Sequence, residues 1–280
     1  MESLRITFRS VADLAALLRR KLYILPPDID LVVGIPRSGM LPAALISLYL
    51  NVPLADLKGF INGDILDWGL SRKPRRPIAS VADCRRVLVI DDSVNSGRQM
   101  KRAKEMIDAT PWAGRVVLGA VYVSPRAKRY VDIFFEVCPP PRIFEWNVMH
   151  HGILRRTCID IDGILCRDPL PEENDDGPRY RAFLETVPPL LIPTVPVYAL
   201  VTCRLEKYRE LTERWLKKHG VEFEHLFMMP HRNAATRRAT GDYAEFKAKI
   251  YRASKAVLFI ESSYAQAKRI AQLSGGKPVL

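Results

Sequence analysis

The sequence predicts an α/β protein built as two units, each around a mostly parallel sheet. Three observations carry this. Short, mostly apolar runs recur along the chain, Leu31–Ile35, Val87–Ile90, Arg115–Val123, Val195–Val201 and Ala256–Ile260, with amphipathic stretches between them. Alternation of that kind yields parallel strands covered on both faces. Val87–Ile90 and a further apolar run, Thr157–Ile159, lead into closely spaced acids, Asp91-Asp92 and Asp160-Ile161-Asp162. Open sheets of this class bind ligands beyond the carboxyl ends of their strands. Finally, Cys138-Pro139-Pro140-Pro141 interrupts the pattern midway through 280 residues, a length that accommodates two ordinary domains.

Composition narrows the classes. At 48% apolar residues, the chain can bury real cores. No apolar run reaches the length of a bilayer span, and Met1-Glu2-Ser3-Leu4-Arg5 lacks a signal-peptide pattern. Five scattered cysteines without a Cys-x-x-Cys pair argue for reduced thiols, a cytoplasmic location and no zinc site. The net charge of +12 is shared by both halves and suits phosphorylated ligands, nucleic acid or an anionic surface equally. No dense basic run interleaved with aromatics stands out, which argues against nucleic acid as a partner.

The elements follow in order. Ser10 caps an amphipathic helix over 10–22, and the chain turns at Pro26-Pro27. The strand Leu31–Ile35 ends in Pro36-Arg37-Ser38-Gly39 and opens a helix over Met40–Leu50, an anion-binding corner. A short strand covers Leu54–Leu57. Residues 58–83 read as a loop that contains the basic stretch Ser71-Arg72-Lys73-Pro74-Arg75-Arg76-Pro77. Val87–Ile90 then runs into Asp91-Asp92-Ser93-Val94-Asn95-Ser96-Gly97. The carboxylates suit ribose hydroxyls, and the amides and hydroxyls of the small-residue loop suit a 5-phosphate. A helix over Asn95–Ala109 and strands over Arg115–Val123 and Tyr130–Val137 complete the half.

The 87–97 segment resembles the phosphoribosyl pyrophosphate loop of type I phosphoribosyltransferases: an aliphatic run, two acids, a short spacer and Ser-Gly. The resemblance implies a Rossmann-like type I phosphoribosyltransferase fold over residues 1–145, with phosphoribosyl pyrophosphate as donor and Mg2+ on the leaving pyrophosphate. Arg37, Ser38 and Gly39 would hold the pyrophosphate; Asp91, Asp92, Ser93, Val94, Asn95, Ser96 and Gly97 would hold the sugar phosphate. Residues 58–83 would be the flexible lid that shields the reacting centre from water. Purine-salvage members usually carry an aspartate where this chain has Asn95. An amide does not take a proton at neutral pH, which argues against a purine acceptor. Orotate members lack that aspartate too, so a pyrimidine acceptor stays open.

In the junction 138–151, prolines give way to an aromatic segment expected to pack between the domains. His150-His151 point apart on an extended chain, so a packed or surface role is preferred to metal binding. The stretch Thr157-Cys158-Ile159-Asp160-Ile161-Asp162-Gly163 then resembles the first motif of haloacid-dehalogenase-type (HAD) phosphohydrolases. The resemblance implies that Asp160 attacks phosphorus, that Asp162 serves as acid and base, and that Gly163 allows the turn. A strand over Val195–Val201 leads to Thr202, Cys203 and Arg204 as phosphate-binding residues, and then to a helix over Leu205–His219. Lys247 or Lys249, preferably Lys247, would steady the aspartyl phosphate from a helix near Tyr243–Arg252. Glu261, after the strand Ala256–Ile260, would join Asp160 and Asp162 on Mg2+. One acid stands there instead of the commoner pair, which implies weaker metal binding. Only a short insert separates Asp162 from Thr202, and one helix and a Met-Met-Pro turn separate Thr202 from Lys247. This implies a HAD-like fold without a large cap over residues 152–280.

Together the two halves resemble bifunctional modules that add ribofuranose during bacterial polysaccharide synthesis. The implied activity is phosphoribosyl transfer to an acceptor, preferably a glycan hydroxyl, followed by removal of the 5-phosphate, with room for a separate glycosyltransferase partner. Three alternatives stand beside it: a nucleobase phosphoribosyltransferase with nucleotide phosphatase activity, hydrolysis of phosphoribosyl pyrophosphate itself, and a non-catalytic sensor that binds nucleic acid. The acceptor, the anomeric outcome, the transferase base and the oligomeric state stay open.

Overall fold

Residues 6–66 and 76–280 are described by the structure, a computed structural model. They divide into two units, Thr7–Trp146 and one built on Asn147–Leu280.

The first unit runs β1 (Thr7–Arg9), α1 (Val11–Lys21), β2 (Leu31–Gly34), α2 (Met40–Leu50), β3 (Leu54–Asp56), α3 (Leu57–Asn62), β4 (Val87–Val94), α4 (Arg98–Asp108), β5 (Val116–Val123), β6 (Ile133–Val137) and β7 (Arg142–Phe144). Five strands form a parallel sheet in the order β3-β2-β4-β5-β6, and β1 pairs with β7. Ser10 caps α1 reciprocally with Asp13, and Leu14, Leu17 and Leu18 face the core. Every residue of β2 is buried, as are most of β4, so both read as continuous apolar runs. Gly34 and Ile90 lie in register on adjacent strands. The turn after β2 and the loop after β4 therefore leave the sheet side by side. Gly39 makes this possible, because a Cβ there would lie 2.5 Å from the Ile35 carbonyl oxygen and 2.8 Å from that of Ile90.

Several expectations are corrected here. β4 continues to Val94, with Asp91 in register with Ala120 of β5, so the acids lie within the strand. The following helix accordingly starts at Arg98 instead of Asn95. Leu57–Asn62 is a helix where a loop was expected, because Asp56 caps it by accepting from the Gly59 N–H at 2.6 Å. The aromatic junction belongs to the first unit: Phe144 stacks on Tyr122 and Trp146 on Phe144, with centroids 5.2 and 5.0 Å apart. Of the basic lid stretch, residues 71–75 lie outside the described residues.

The second unit runs β8 (Thr157–Ile159), α5 (Pro178–Thr186), β9 (Val197–Leu205), α6 (Arg209–Lys218), β10 (Phe223–Met229), α7 (Ala234–Thr240), α8 (Tyr243–Ala253), β11 (Leu258–Ile260) and α9 (Tyr264–Leu273). Its parallel sheet has the order β10-β9-β8-β11. Ile159 and Ile260 are in register, so Asp160 and Glu261 leave neighbouring strand ends. The expected Met-Met-Pro turn is the end of a strand, β10, and α7 follows it, so the stretch before Lys247 holds more than one helix. β9 runs on through Thr202–Arg204 to Leu205, which delays α6 to Arg209. Among the described residues, no helix is long and apolar enough to cross a membrane.

Candidate active sites

At the first site, Asp91 and Asp92 are buried side by side, and the Asp92 N–H donates to Asp91 Oδ1 at 2.9 Å. Burial, reinforced by the charge of Asp92, pushes the Asp91 carboxyl up to about 8. A cation against the pair would relieve both effects, so these carboxylates fit Mg2+. Trp146 Nε1 donates to Asp92 Oδ2 at 2.7 Å and fixes that carboxylate from outside the motif.

The sugar-phosphate loop is fastened from β5. Ser124 donates its backbone N–H to the Val94 carbonyl at 2.9 Å and its hydroxyl to the Asn95 carbonyl at 2.8 Å. Gly97 precedes α4 at φ +79°, with the Tyr130 ring directly over it. Asn95, Ser96, Ser124, Arg126, Arg129 and Tyr130 line a cleft of about 590 Å³. Arg37, Ser38 and Gly39 form the neighbouring turn between β2 and α2, as their spacing predicts. The Val94 side chain packs in the core beneath, which leaves its backbone to serve the loop. Residues 124–130 carry no acid or glycine that would mark them in the sequence, although they follow a strand end.

At the second site, the Lys247 ammonium sits in the sheet's edge and donates to Asp160 Oδ2 at 2.7 Å, Glu261 Oε2 at 2.6 Å and Gln266 Oε1 at 3.0 Å. Lys249 is exposed, so Lys247 is the inward lysine. Burial pushes the Asp160 carboxyl up and Lys247 opposes the rise. Burial works against the Lys247 charge, yet Asp160 and Glu261 outweigh it and keep the ammonium protonated. The buried Arg204 guanidinium grips Asp162, with Nε at 3.0 Å from Oδ2 and Nη2 at 2.6 Å from Oδ1.

Two expectations change at this site. Successive residues of a strand face opposite sides. As part of β9, Thr202 and Arg204 are fully buried and only Cys203 of the expected phosphate trio lines the cleft. Thr202 Oγ1 accepts from the Arg204 N–H at 3.2 Å. The expected metal trio does not converge either: among the described residues, no group of three His, Cys, Asp or Glu side chains is placed to hold a metal. Asp160 and Glu261 are turned onto Lys247 and Asp162 onto Arg204, so protein cations occupy the carboxylates and this arrangement does not fit Mg2+. His150 pairs with Thr194 at 3.0 Å and His151 accepts from the Ile153 N–H at 3.1 Å, local roles for both. The cleft of about 220 Å³ between these groups is also lined by Asn174, Tyr180 and Arg237, none of which the sequence marked.

A parallel sheet with a buried diacid in the carboxyl-terminal half of its central strand β4, beside the glycine turn after β2, is an α/β arrangement suited to phosphate ligands. The family model for the phosphoribosyl transferase domain matches residues 2–148, and the chain belongs to that family. A xanthine-guanine phosphoribosyltransferase of Idiomarina loihiensis is 25% identical over 103 residues, 37% of this chain and 60% of that protein. The chain thus spans 60% of the length of this curated relative. Among solved structures, Helicobacter pylori xanthine-guanine-hypoxanthine phosphoribosyltransferase is 14% identical, with 52% of this chain and 94% of that one covered at a TM-score of 0.39. A purine phosphoribosyltransferase from Pyrococcus horikoshii is 20% identical, with 50% and 93% covered and a TM-score of 0.36.

Proposed function

We propose that the first unit transfers phosphoribosyl from phosphoribosyl pyrophosphate to an acceptor with release of pyrophosphate, and that the second unit removes the 5-phosphate to leave ribofuranose. The observation that carries this reading is the pairing of Asp91-Asp92 with the Asn95–Gly97 loop and the Arg37–Gly39 turn at adjacent strand ends. Asp91 and Asp92 would hold the ribose hydroxyls, the loop the 5-phosphate, and Arg37, Ser38 and Gly39 the pyrophosphate. Mg2+, when bound at the carboxylates, would supply charge neutralisation for the departing pyrophosphate. The acceptor would lie in the cleft beside Asn95 and Tyr130. A glycan hydroxyl is the favoured acceptor, because Asn95 offers a ring nitrogen no proton-accepting group.

In the second unit, Asp160 would displace the sugar oxygen from phosphorus, with Lys247 balancing charge. Asp162, oriented by Arg204, would give a proton to the departing sugar oxygen and then take one from the water that hydrolyses the aspartyl phosphate. A nucleobase acceptor is the second reading. The Tyr130 ring at the cleft supports it as a stacking surface, as does the xanthine-guanine phosphoribosyltransferase relative.

Mass spectrometry of products from donor plus glycan or nucleobase acceptors tests both readings. The Asp160→Asn variant is expected to accumulate a phosphoribosylated acceptor that the wild type carries on to the ribosylated form. An identical final product from both proteins would refute the phosphatase assignment.

A further inference from the structure

Of the acids that line the cleft of the second unit, Asp160 is paired with Lys247 and Asp162 with Arg204, while Asp168 has no ion-pair partner among the described residues. All three protons of the Lys247 ammonium have acceptors, two of them carboxylates. Arg204 is paired with Asp162 through Nε and Nη2, although its Nη1 is buried without a partner among the described residues, and it does not line the cleft. Arg237 stands apart. It lines the same cleft, is 8% exposed, and pairs with no carboxylate among the described residues. Its Nη1 donates to the Cys203 carbonyl at 2.8 Å, Nη2 has a 3.5 Å contact with Asn174 Oδ1, the guanidinium also meets the Tyr180 hydroxyl, and Nε is buried without a partner among the described residues. A guanidinium so placed is costly unless an anion completes it. The edge left incompletely bonded, Nε with Nη2, is the one that meets two oxygens of a phosphate side by side.

The position of this side chain is enforced. Asn233 caps α7 by accepting from the Thr236 N–H at 2.8 Å. Asp176 accepts from the Ala234 N–H at 2.9 Å, and is itself held by Lys207 at 2.9 Å and the Tyr208 hydroxyl at 2.8 Å. The first turn of α7 is therefore tied down, and the helix presents Arg237 inward while Arg238 is exposed.

We propose that Arg237 is the receptor for the substrate's phosphate in the second unit, so that the cleft takes a phosphate monoester through a bidentate guanidinium contact while Lys247 stays with the carboxylates. This rests on the phosphatase reading above and adds to it a binding residue from an element outside the motif-bearing strands. With Arg204 and Thr202 turned into the core, Arg237 takes over the anion recognition those two were expected to perform.

The test is calorimetric titration of the full chain with inorganic phosphate, using wild type, Arg237→Gln, Arg237→Lys and Arg238→Gln. Because the first unit also has an anion loop, the number of phosphates bound is read together with affinity. Arg237→Gln is expected to lose one phosphate equivalent or weaken it by about tenfold or more. Arg237→Lys should fall between, and Arg238→Gln should behave as wild type. Unchanged stoichiometry and affinity in Arg237→Gln, or in Arg237→Lys should the glutamine variant not fold, would overturn the proposal. Hydrolysis of p-nitrophenyl phosphate by wild type against Asp160→Asn reads the phosphatase assignment separately. Its failure would refute that assignment, while phosphate binding that depends on Arg237 stands on its own.

Discussion

The Tyr130 ring lies where a side chain at residue 97 would be: a Cβ built on Gly97 falls 2.2 Å from its Cδ2. Two constraints thus coincide at Gly97, a left-handed backbone at φ +79° and a ring that closes the loop from above. Gly97→Ala is expected to raise KM for phosphoribosyl pyrophosphate by roughly tenfold or more, since strain of about 1–3 kcal/mol must be absorbed at the loop. Adding Tyr130→Ala should relieve the collision but not the backbone cost, so the double variant should recover in part. Pyrophosphate-release kinetics of both variants read this directly, and a wild-type KM in Gly97→Ala would refute the assignment of the loop.

The diacid makes the first unit sensitive to pH. Asp91, shifted up to about 8 by burial and then by Asp92, binds its proton more tightly folded than unfolded. Its stabilising contribution is complete below the ordinary carboxylate range and is lost as pH rises through about 8. The melting temperature is therefore expected to fall from pH 5 to pH 8, and Asp92→Asn, which removes the repelling charge, should flatten that fall. Parallel slopes in the two proteins, measured by thermal melts without divalent cation, would contradict the coupling.

Trp146→Phe keeps the ring stack on Phe144 and removes the donor to Asp92. A hydrogen bond to a charged acceptor is worth about 1.5–3 kcal/mol, so urea unfolding should show a loss of that order. A loss below a few tenths would mean that the indole serves only as packing.

Breaking the Arg204–Asp162 pair strands a carboxylate in a mostly buried setting. Arg204→Met is expected to destabilise the second unit by about 3–5 kcal/mol, and Arg204→Met with Asp162→Leu to regain much of it. Chemical denaturation followed by a second-unit probe such as Trp215, buried against the Val187 carbonyl, measures both. Equal stability of the two variants would show that the pair carries no such penalty.

Residues whose local pattern coincides with their environment are legible in the sequence alone. Buried strands β2 and β4 are largely aliphatic, Ser10 and Asp13 form a capping box, and Lys247 sits on a helix beside the second acid cluster. Elements too short for periodicity to register are not: β1 and β7 have three residues each, and α3 has six. Thr202 and Arg204 carry the expected chemistry, but the extra length of β9 turns them inward, and strand length depends on pairing with β10. Arg237 stands beside Arg238 on a short basic helix, and nothing local distinguishes the buried arginine from its solvated neighbour.

The parallel pairing of Thr7–Arg9 with Arg142–Phe144 joins the two extremes of the first unit. During synthesis the leading strand must therefore wait, with its backbone unpaired, until nearly the whole unit has left the ribosome. Closure of that unit is a late, non-local event, and a nascent chain halted before Arg142 exposes a strand edge open to chaperones or to unwanted pairing with other chains.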